Sequence, residues 1–186
     1  MRKALLVLMA ICLIGTMVPT LSAQTSNTAT VQVTATKSES LTVTAAPSGG
    51  TNFNLDNPLT GQTVAISVGA HWNIKPSRTN VNICAQMAGN MTGTTGNTGN
   101  IMPSYVLASA PGNGNTPSAM TTTISNCGGW TQGVLVKTYP VATQTDRIRT
   151  TDTSDTLTLS LSNSLNVGTL EADTYTGNVN IIASAY

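Results

Sequence analysis

The sequence predicts an all-β fold, an antiparallel β-sandwich with long polar loops, and three observations support this prediction. Apolar and polar residues alternate with a period of two in nearly every apolar segment. No window places apolar residues at the three-and-four spacing of an amphipathic helix behind a capping residue. The segments between the alternating stretches are rich in Gly, Asn and Thr, which form turns more readily than helices.

The N-terminus has the pattern of a secretory signal peptide, predicted to cover residues 1–23. Arg2 and Lys3 precede an apolar run over residues 4–17, and small residues lead to an expected cleavage site after Ala23. The run is shorter than the roughly twenty apolar residues of a membrane span. We therefore expect one domain over residues 24–186, not inserted in a membrane, that is secreted, periplasmic or on the surface of a bacterium.

The charge of the mature chain excludes some classes of partner. After residue 23 the chain has six Lys and Arg residues and seven Asp and Glu residues, which gives a net charge of −1. Nucleic acids and anionic membranes attract proteins whose Lys and Arg cluster and displace counterions. Neither partner is expected.

Two cysteines remain after cleavage, Cys84 and Cys127. An exported thiol pair tends to oxidise, and one disulfide closing this loop would stabilise the fold by about 3–4 kcal/mol. The alternative is two separate buried thiols, because spacing alone does not show that the pair meets. With His71 the only histidine, no metal site or cofactor is expected.

The alternating segments give the predicted strands in chain order. Residues 29–35 and 41–45 form the first two, and residues 64–74 form the strongest core strand. Further strands are predicted over residues 81–87, 105–108, 120–125, 133–139, 157–161 and a long C-terminal stretch ending at Tyr186. Residues 89–100 are predicted to be a loop or a turn-rich edge, and residues 111–117 are predicted to be a second irregular region. Binding sites are usually placed on the loops of a rigid β scaffold.

The chain offers no catalytic set, so we predict that it is not an enzyme. His71 lies in the middle of a strand, and we interpret it as a solvent-facing or hydrogen-bonded structural histidine rather than a base. Asp146, Asp152 and Asp155 share a polar run with two arginines, which predicts a solvated loop rather than a desolvated acid pair.

Aromatic residues are the candidates for ligand contact. Trp72, Trp130, Tyr105 and Tyr139 could form a platform for sugar rings. The parity of Trp72 with Val68 and Ala70 predicts that it lies in the core. Trp130 follows a Cys-Gly-Gly turn, and two interpretations stay open: contact with a ligand, or packing over the adjacent cysteine pair.

The two ends of the chain resemble those of a known family. The opening Thr-Val-Gln-Val-Thr-Ala-Thr of residues 30–36, followed by Leu41-Thr42-Val43, and the closing Thr-Tyr-Thr-Gly-Asn-Val-Asn-Ile of residues 174–181 are similar to the ends of pilin-like fimbrial subunits and spore-coat-protein-U-like proteins. The resemblance covers about the first quarter and the last sixth of the mature chain. It implies an incomplete immunoglobulin-like sandwich, exported with a periplasmic chaperone and polymerised when one subunit's N-terminal strand completes the next subunit's sheet.

The candidate donor strand consists of alternating apolar residues, which are Ala29, Val31, Val33 and Ala35. The alternative is an ordinary first strand that pairs within its own domain. We accordingly expect a structural or adhesive surface subunit that associates with itself or with related subunits. The alternative function is a monomeric secreted binding module for a carbohydrate or protein ligand.

Overall fold

The computed structural model describes residues 32–96 and 99–186. The chain divides into two units, Met1–Thr36 and Lys37–Tyr186. The predicted signal peptide, Ala29 and Val31 lie outside the described residues. In the described part of the first unit, residues 32–36 form no strand and all are exposed, with Val33 at 88%.

The regular structure of the second unit is almost entirely β. In chain order its described strands are β1 (Ser40–Pro47), β2 (Val64–Asn73), β3 (Asn80–Met87), β4 (Met91–Gly93), β5 (Asn100–Ile101), β6 (Val106–Ser109), β7 (Ser118–Ala119), β8 (Thr123–Cys127), β9 (Trp130–Gln132), β10 (Val134–Pro140), β11 (Ile148–Arg149), β12 (Asp155–Leu161), β13 (Tyr175–Thr176) and β14 (Val179–Ala185). One short helix, α1 (Gln144–Arg147), and single 3-10 turns at Pro103–Tyr105, Pro111–Asn113 and Val167–Thr169 complete it.

The strands pair antiparallel throughout the described residues, which confirms the all-β part of the predicted fold class. The larger sheet has the order β1-β2-β12-β6-β7, and β11 pairs with β2 beside the end of β12. The second sheet has the order β10-β3-β14. Two small sheets, β13-β4-β5 and the hairpin β8-β9, lie outside these two.

The inward side chains of the two main sheets form one hydrophobic core. Trp72 is 2% exposed, as its parity predicts, and its ring lies 5.5 Å from that of Tyr139. The Arg149 guanidinium stacks 5.2 Å from the centre of the Trp72 ring, a favourable cation–π distance. Trp72 Nε1 donates to the Asp146 carbonyl at 2.8 Å, so the polar edge of the buried ring is satisfied.

The outer face of the smaller sheet carries the β8-β9 hairpin. Cys84 on β3 is bonded to Cys127 at the end of β8, which confirms the predicted disulfide. Close to it, Gly128 leaves room for the Ile182 side chain, because a β-carbon at Gly128 would lie 2.6 Å from Ile182 Cδ1. The disulfide therefore fixes the hairpin over β3 and β14.

Some predicted boundaries need correction. Residues 89–100, predicted to be a loop or a turn-rich edge, contain the short strand β4 and the first residue of β5. The strand predicted over residues 120–125 begins only at Thr123, since Met120 is buried in the turn that precedes it. The helix α1 was not predicted, although Thr143 and Asp146 form a reciprocal capping box at its start.

A loop closes one side of the core. The 3-10 turn Pro111–Asn113 packs against β10, so closely that a β-carbon at Gly112 would overlap the Leu135 carbonyl group. Asn113 fixes the turn, because its Nδ2 donates to the Ala108 and Thr116 carbonyls at 3.0 and 2.9 Å. Val136, whose backbone lies against this turn, is completely buried.

We expect Gly112→Ala to lower the free energy of unfolding by about 1–3 kcal/mol, because the added methyl group overpacks a backbone contact. Gly50→Ala is the matched control, since a β-carbon there meets no atom within 4 Å. It should be neutral or stabilising by up to about 1 kcal/mol through the unfolded state. Urea unfolding of both variants is the measurement, and equal effects would contradict the close packing at Gly112.

Candidate functional site

The opposite side of the core is bordered by two strand edges. β1 is one edge strand of the larger sheet and β14 is one edge strand of the smaller sheet. Some of their Cα atoms lie within 8 Å of one another, but no backbone hydrogen bond or β-bridge joins the two strands among the described residues. We call the region between these two unpaired edges the edge groove. Its walls are Leu41, Val43 and Ala45 on β1 and Val179, Ile181, Ala183 and Ala185 on β14.

The wall on β14 is apolar and incompletely covered. Its four residues lie directly opposite inward-facing residues of β3, in the pairs Val179–Met87, Ile181–Ala85, Ala183–Ile83 and Ala185–Val81. The β3 partners are at most 7% exposed, whereas all four β14 residues are only partly buried. A strand with one neighbour cannot cover its side chains as a central strand does.

The wall on β1 has the same character. Leu41, Val43 and Ala45 lie opposite Trp72, Ala70 and Val68, each of which is at most 2% exposed. Leu41 and Val43 are partly buried, and Ala45 is exposed. Both walls therefore present apolar side chains that point toward the core but remain open to solvent.

The backbone of β14 also points into the groove. Tyr186 and Asn80 exchange hydrogen bonds of 3.1 and 3.2 Å, which identifies them as a hydrogen-bonded pair of the β14-β3 ladder. Such pairs alternate along an antiparallel strand, so every second residue directs its N–H and C=O away from β3. By this alternation, the residues whose N–H and C=O groups point away from β3 are the four wall residues of β14.

The backbone of β1 follows the same rule. Just beyond this strand, Ser48 donates to the Ala65 carbonyl at 2.9 Å, which sets the alternation of the β1-β2 ladder. The N–H and C=O groups of Leu41, Val43 and Ala45 accordingly point away from β2. The groove thus has backbone donors and acceptors on both walls, at the same residues whose side chains face inward.

Glu39 fixes the start of β1. Its carboxylate accepts a hydrogen bond from the Lys75 backbone at 2.8 Å and pairs with the Arg78 guanidinium at 3.3 Å. The Arg78 hydrogen bond and then the Lys75 backbone bond lower the pKa of Glu39. The seven wall residues carry no charge.

A polar cluster holds β1 to its neighbours on the outer face of the larger sheet. Asp152 accepts from Thr44 Oγ1 at 2.8 Å, and its other oxygen lies 2.7 Å from His71 Nδ1. The His71 hydrogen bond, followed by that of Thr44, lowers the pKa of Asp152. His71 is therefore a hydrogen-bonded surface residue, one of the two forms predicted for it. This cluster links three separate segments of the chain, and sequence patterns gave no signal for it.

The three acidic residues predicted to share a solvated loop differ in environment. Asp146 caps α1 through Thr143, and the two Thr143 hydrogen bonds lower its pKa. Asp155 is 8% exposed on the inward face of β12, where it accepts a hydrogen bond from Tyr139. The solvated-loop prediction is wrong for Asp155. Burial, and then this bond, raise the pKa of Tyr139 to about 12.

The aromatic candidates are not brought together as a platform. Trp72 and Tyr139 pack with each other in the core, whereas Trp130 lies on the β8-β9 hairpin, opposite Cys127 and partly exposed. Its exposure leaves both predicted roles for Trp130 open. No group of three or more His, Cys, Asp or Glu among the described residues is arranged to hold a metal ion.

Of the candidate donor strand, only Val33 and Ala35 lie among the described residues; both are exposed and neither is in a strand. Within the described ranges, no helix has the length and apolar character needed to cross a bilayer.

No protein-family model matches the chain, and no curated protein matches it significantly.

We expect Asp152→Asn to reduce the acid sensitivity of the fold. Because the pKa of Asp152 is lower in the folded than in the unfolded chain, its carboxylate stabilises the fold above the unfolded value of about 4. That stabilisation is lost as the pH falls through the folded pKa. In urea titrations below about pH 4, the unfolding free energy of the wild type should therefore fall more steeply than that of the variant.

Glu171→Gln is the control for this measurement. It removes an exposed carboxylate for which the described residues provide no hydrogen bond. Its acid dependence should resemble that of the wild type. Equal slopes for wild type and Asp152→Asn would refute a stabilising role of the Asp152 cluster.

Proposed function

We propose that this chain is a non-catalytic surface subunit that assembles by strand donation. In this proposal, residues 28–36 of one copy enter the edge groove of another copy. The single observation that carries the proposal is the pair of strand edges, β1 and β14, which within the described residues do not bond to each other and whose inward apolar side chains stay partly exposed. The fold would then be an immunoglobulin-like sandwich that lacks one strand and obtains it from a neighbour.

The groove has the chemistry that an added strand requires. A donated strand makes backbone hydrogen bonds to the exposed edges and places alternate side chains in apolar pockets. Both kinds of partner are present at Leu41, Val43 and Ala45 and at the four wall residues of β14. The net contribution of each backbone bond is about 0.5–1.5 kcal/mol, so a full ladder on two walls would bind strongly.

The N-terminal segment matches this groove in pattern and charge. Its apolar residues Ala29, Val31, Val33 and Ala35 alternate with polar ones, as a strand with one buried face should. Residues 24–36 contain no proline, which would interrupt the ladder, and no charged residue, which would be costly to bury. The 88% exposure of Val33 leaves this side chain available to a partner.

Donation to another copy is favoured over folding back within the same copy. To lie beside its own β1, the segment would have to reverse direction over Lys37-Ser38-Glu39. A three-residue hairpin loop normally places glycine at its left-handed position, and this loop has none. Glu39 is also fixed to the segment Lys75–Arg78.

The width of the groove supports a role for a chaperone. Neighbouring strands lie about 4.7–4.9 Å apart, so a strand between β1 and β14 would hold them about 10 Å apart. Some of their Cα atoms are within 8 Å, which is too close for insertion without movement. A periplasmic partner that holds these edges apart would speed assembly.

The test compares the chain that begins at Gln24 with a version that lacks Gln24–Thr36, by light scattering and electron microscopy. We expect the longer chain to form heat-stable polymers and the shorter one to remain a folded monomer. A peptide of residues 24–36 should bind the shorter chain and raise its melting temperature.

A matched pair of substitutions tests the strand pattern. Val33→Asp places a charge on the apolar face of the donor strand and should reduce polymer yield at least tenfold, roughly the effect of 1.4 kcal/mol or more. Thr34→Asp places the same charge on the opposite face and should assemble nearly as the wild type does.

A stable monomer from the longer chain, together with unfolding of the shorter one, would overturn strand donation. The segment would then be an integral strand of its own domain. That result would favour the alternative of a monomeric binding module, for which Trp130 is the candidate contact and glycan-binding screens are the next measurement.

A further inference from the structure

A cavity of about 660 Å³ opens at one end of the core. Its floor is formed by buried residues of both main sheets and of β5, namely Val64, Met87, Ile101, Val106, Leu159 and Leu161. The volume falls within the range of about 300–1,000 Å³ that is typical of small-molecule sites. An apolar floor of this size is one of the features by which ligand sites are recognised.

The mouth of the cavity is built from well-fixed loops. On one side the Gln62 side chain holds the loop after β1, because it accepts from the Asn54 backbone at 2.7 Å and donates to the Asn54 and Pro58 carbonyls at 2.8 Å each. On the other side Tyr175 Oη donates to the Glu171 carbonyl at 2.9 Å. Both sides of the entrance are thus ordered by the chain's own hydrogen bonds, as expected for a pre-formed site.

The charged side chains at the mouth of the cavity are all acidic. Asp56, Glu171 and Asp173 line it, and no Lys, Arg or His is among the described residues that line the cavity. The Asp173 carboxylate accepts from the backbone of Thr95 at 3.0 Å and of Thr174 at 2.7 Å, so it is part of the loop structure. Asp56 and Glu171 are exposed, and the described residues provide no hydrogen bond to their carboxylates.

The candidate donor strand does not suit this cavity. Its apolar residues are only Ala and Val, whose side chains are small relative to a cavity of about 660 Å³. The cavity shares only Val179 with the walls of the edge groove. The cavity and the edge groove are therefore largely separate sites.

We propose that the cavity binds a small cationic amphiphile, an alkyl or aryl amine, with its apolar part on the aliphatic floor and its ammonium group among the carboxylates at the mouth. Burial of the apolar part supplies the affinity, at about 25 cal/mol per Å² of apolar surface removed from water. The carboxylates select the cation over an anion of the same shape. This inference does not depend on strand donation.

Calorimetric titration of the chain that begins at Gln24 tests the proposal with three ligands that share one tail: decylammonium, decanol and decanoate. We expect decylammonium to bind with one site per chain, roughly threefold to tenfold more tightly than decanol, and decanoate to bind most weakly. Added salt should weaken only the decylammonium interaction. The double variant Asp56→Asn/Glu171→Gln should remove most of the difference between decylammonium and decanol.

A filling substitution tests the position of the site. Val106→Phe extends from the floor into the cavity and should reduce decylammonium binding at least tenfold, whereas Ile148→Phe, at a position 43% exposed outside the cavity, should not. Melting temperatures identify a Val106→Phe protein that fails to fold, and the double carboxylate variant then carries the test alone.

Three results would overturn the proposal: no binding of decylammonium, equal binding of the three ligands, or unchanged binding in Val106→Phe that has folded. Displacement of decylammonium by the peptide of residues 24–36 would also overturn it, because the cavity would then belong to the edge groove. Polymerisation and decylammonium binding are read out separately, so either proposal can fail while the other stands.

Discussion

Backbone pairing along β3 is the interaction on which the rest of this structure depends. β3 is the central strand of the smaller sheet, with β10 on one side and β14 on the other. Its inward residues Val81, Ile83 and Ala85 are completely buried, and its outward Cys84 holds the β8-β9 hairpin through the disulfide. β3 is hydrogen-bonded on both sides. The unpaired backbone groups of this sheet therefore lie on its two edge strands, β10 and β14.

The two sides of the core differ in how their strand edges are covered. Beside β10, the turn at Pro111–Asn113 packs against Leu135 and Val136. Between β14 and β1, neither a turn nor a further strand of the described residues packs in this way. Exposed strand edges are a hazard that proteins ordinarily reduce with charges, prolines or bulges. Apart from Pro47 at the end of β1, the edges that border the groove carry no such device, which is the physical reason for assigning it a partner.

Much of the fold follows from the alternation of apolar residues, because a strand with one buried face requires it. β2, β3, β12 and the long C-terminal strand were predicted close to their observed bounds, and Trp72 was correctly placed in the core. The same alternation places Asp155, two residues before Leu157, on the buried face of its strand. The sequence analysis gave more weight to its charge than to this register. Short strands such as β4 and β7 have too few residues to produce a pattern.

The candidate sites are harder to predict from the sequence than the strands are. Alternation identifies strands but does not give the order in which they pair, so it cannot show that β1 and β14 are edges. The hypothesis that the fold lacks a strand came from the family resemblance of the two ends of the chain, and it stays a proposal, as does strand donation. The cavity depends on how loops far apart in sequence meet, and no local pattern records this.

The three residues between the candidate donor segment and β1 have a mechanical consequence. Lys37-Ser38-Glu39 can span at most about 10–11 Å, and Glu39 is held by its own domain. In a polymer built by donation, each subunit would be tied to the next through this short connection. Successive subunits would then have little freedom to bend or rotate, and the assembly would behave as a stiff rod rather than as a flexible string of domains.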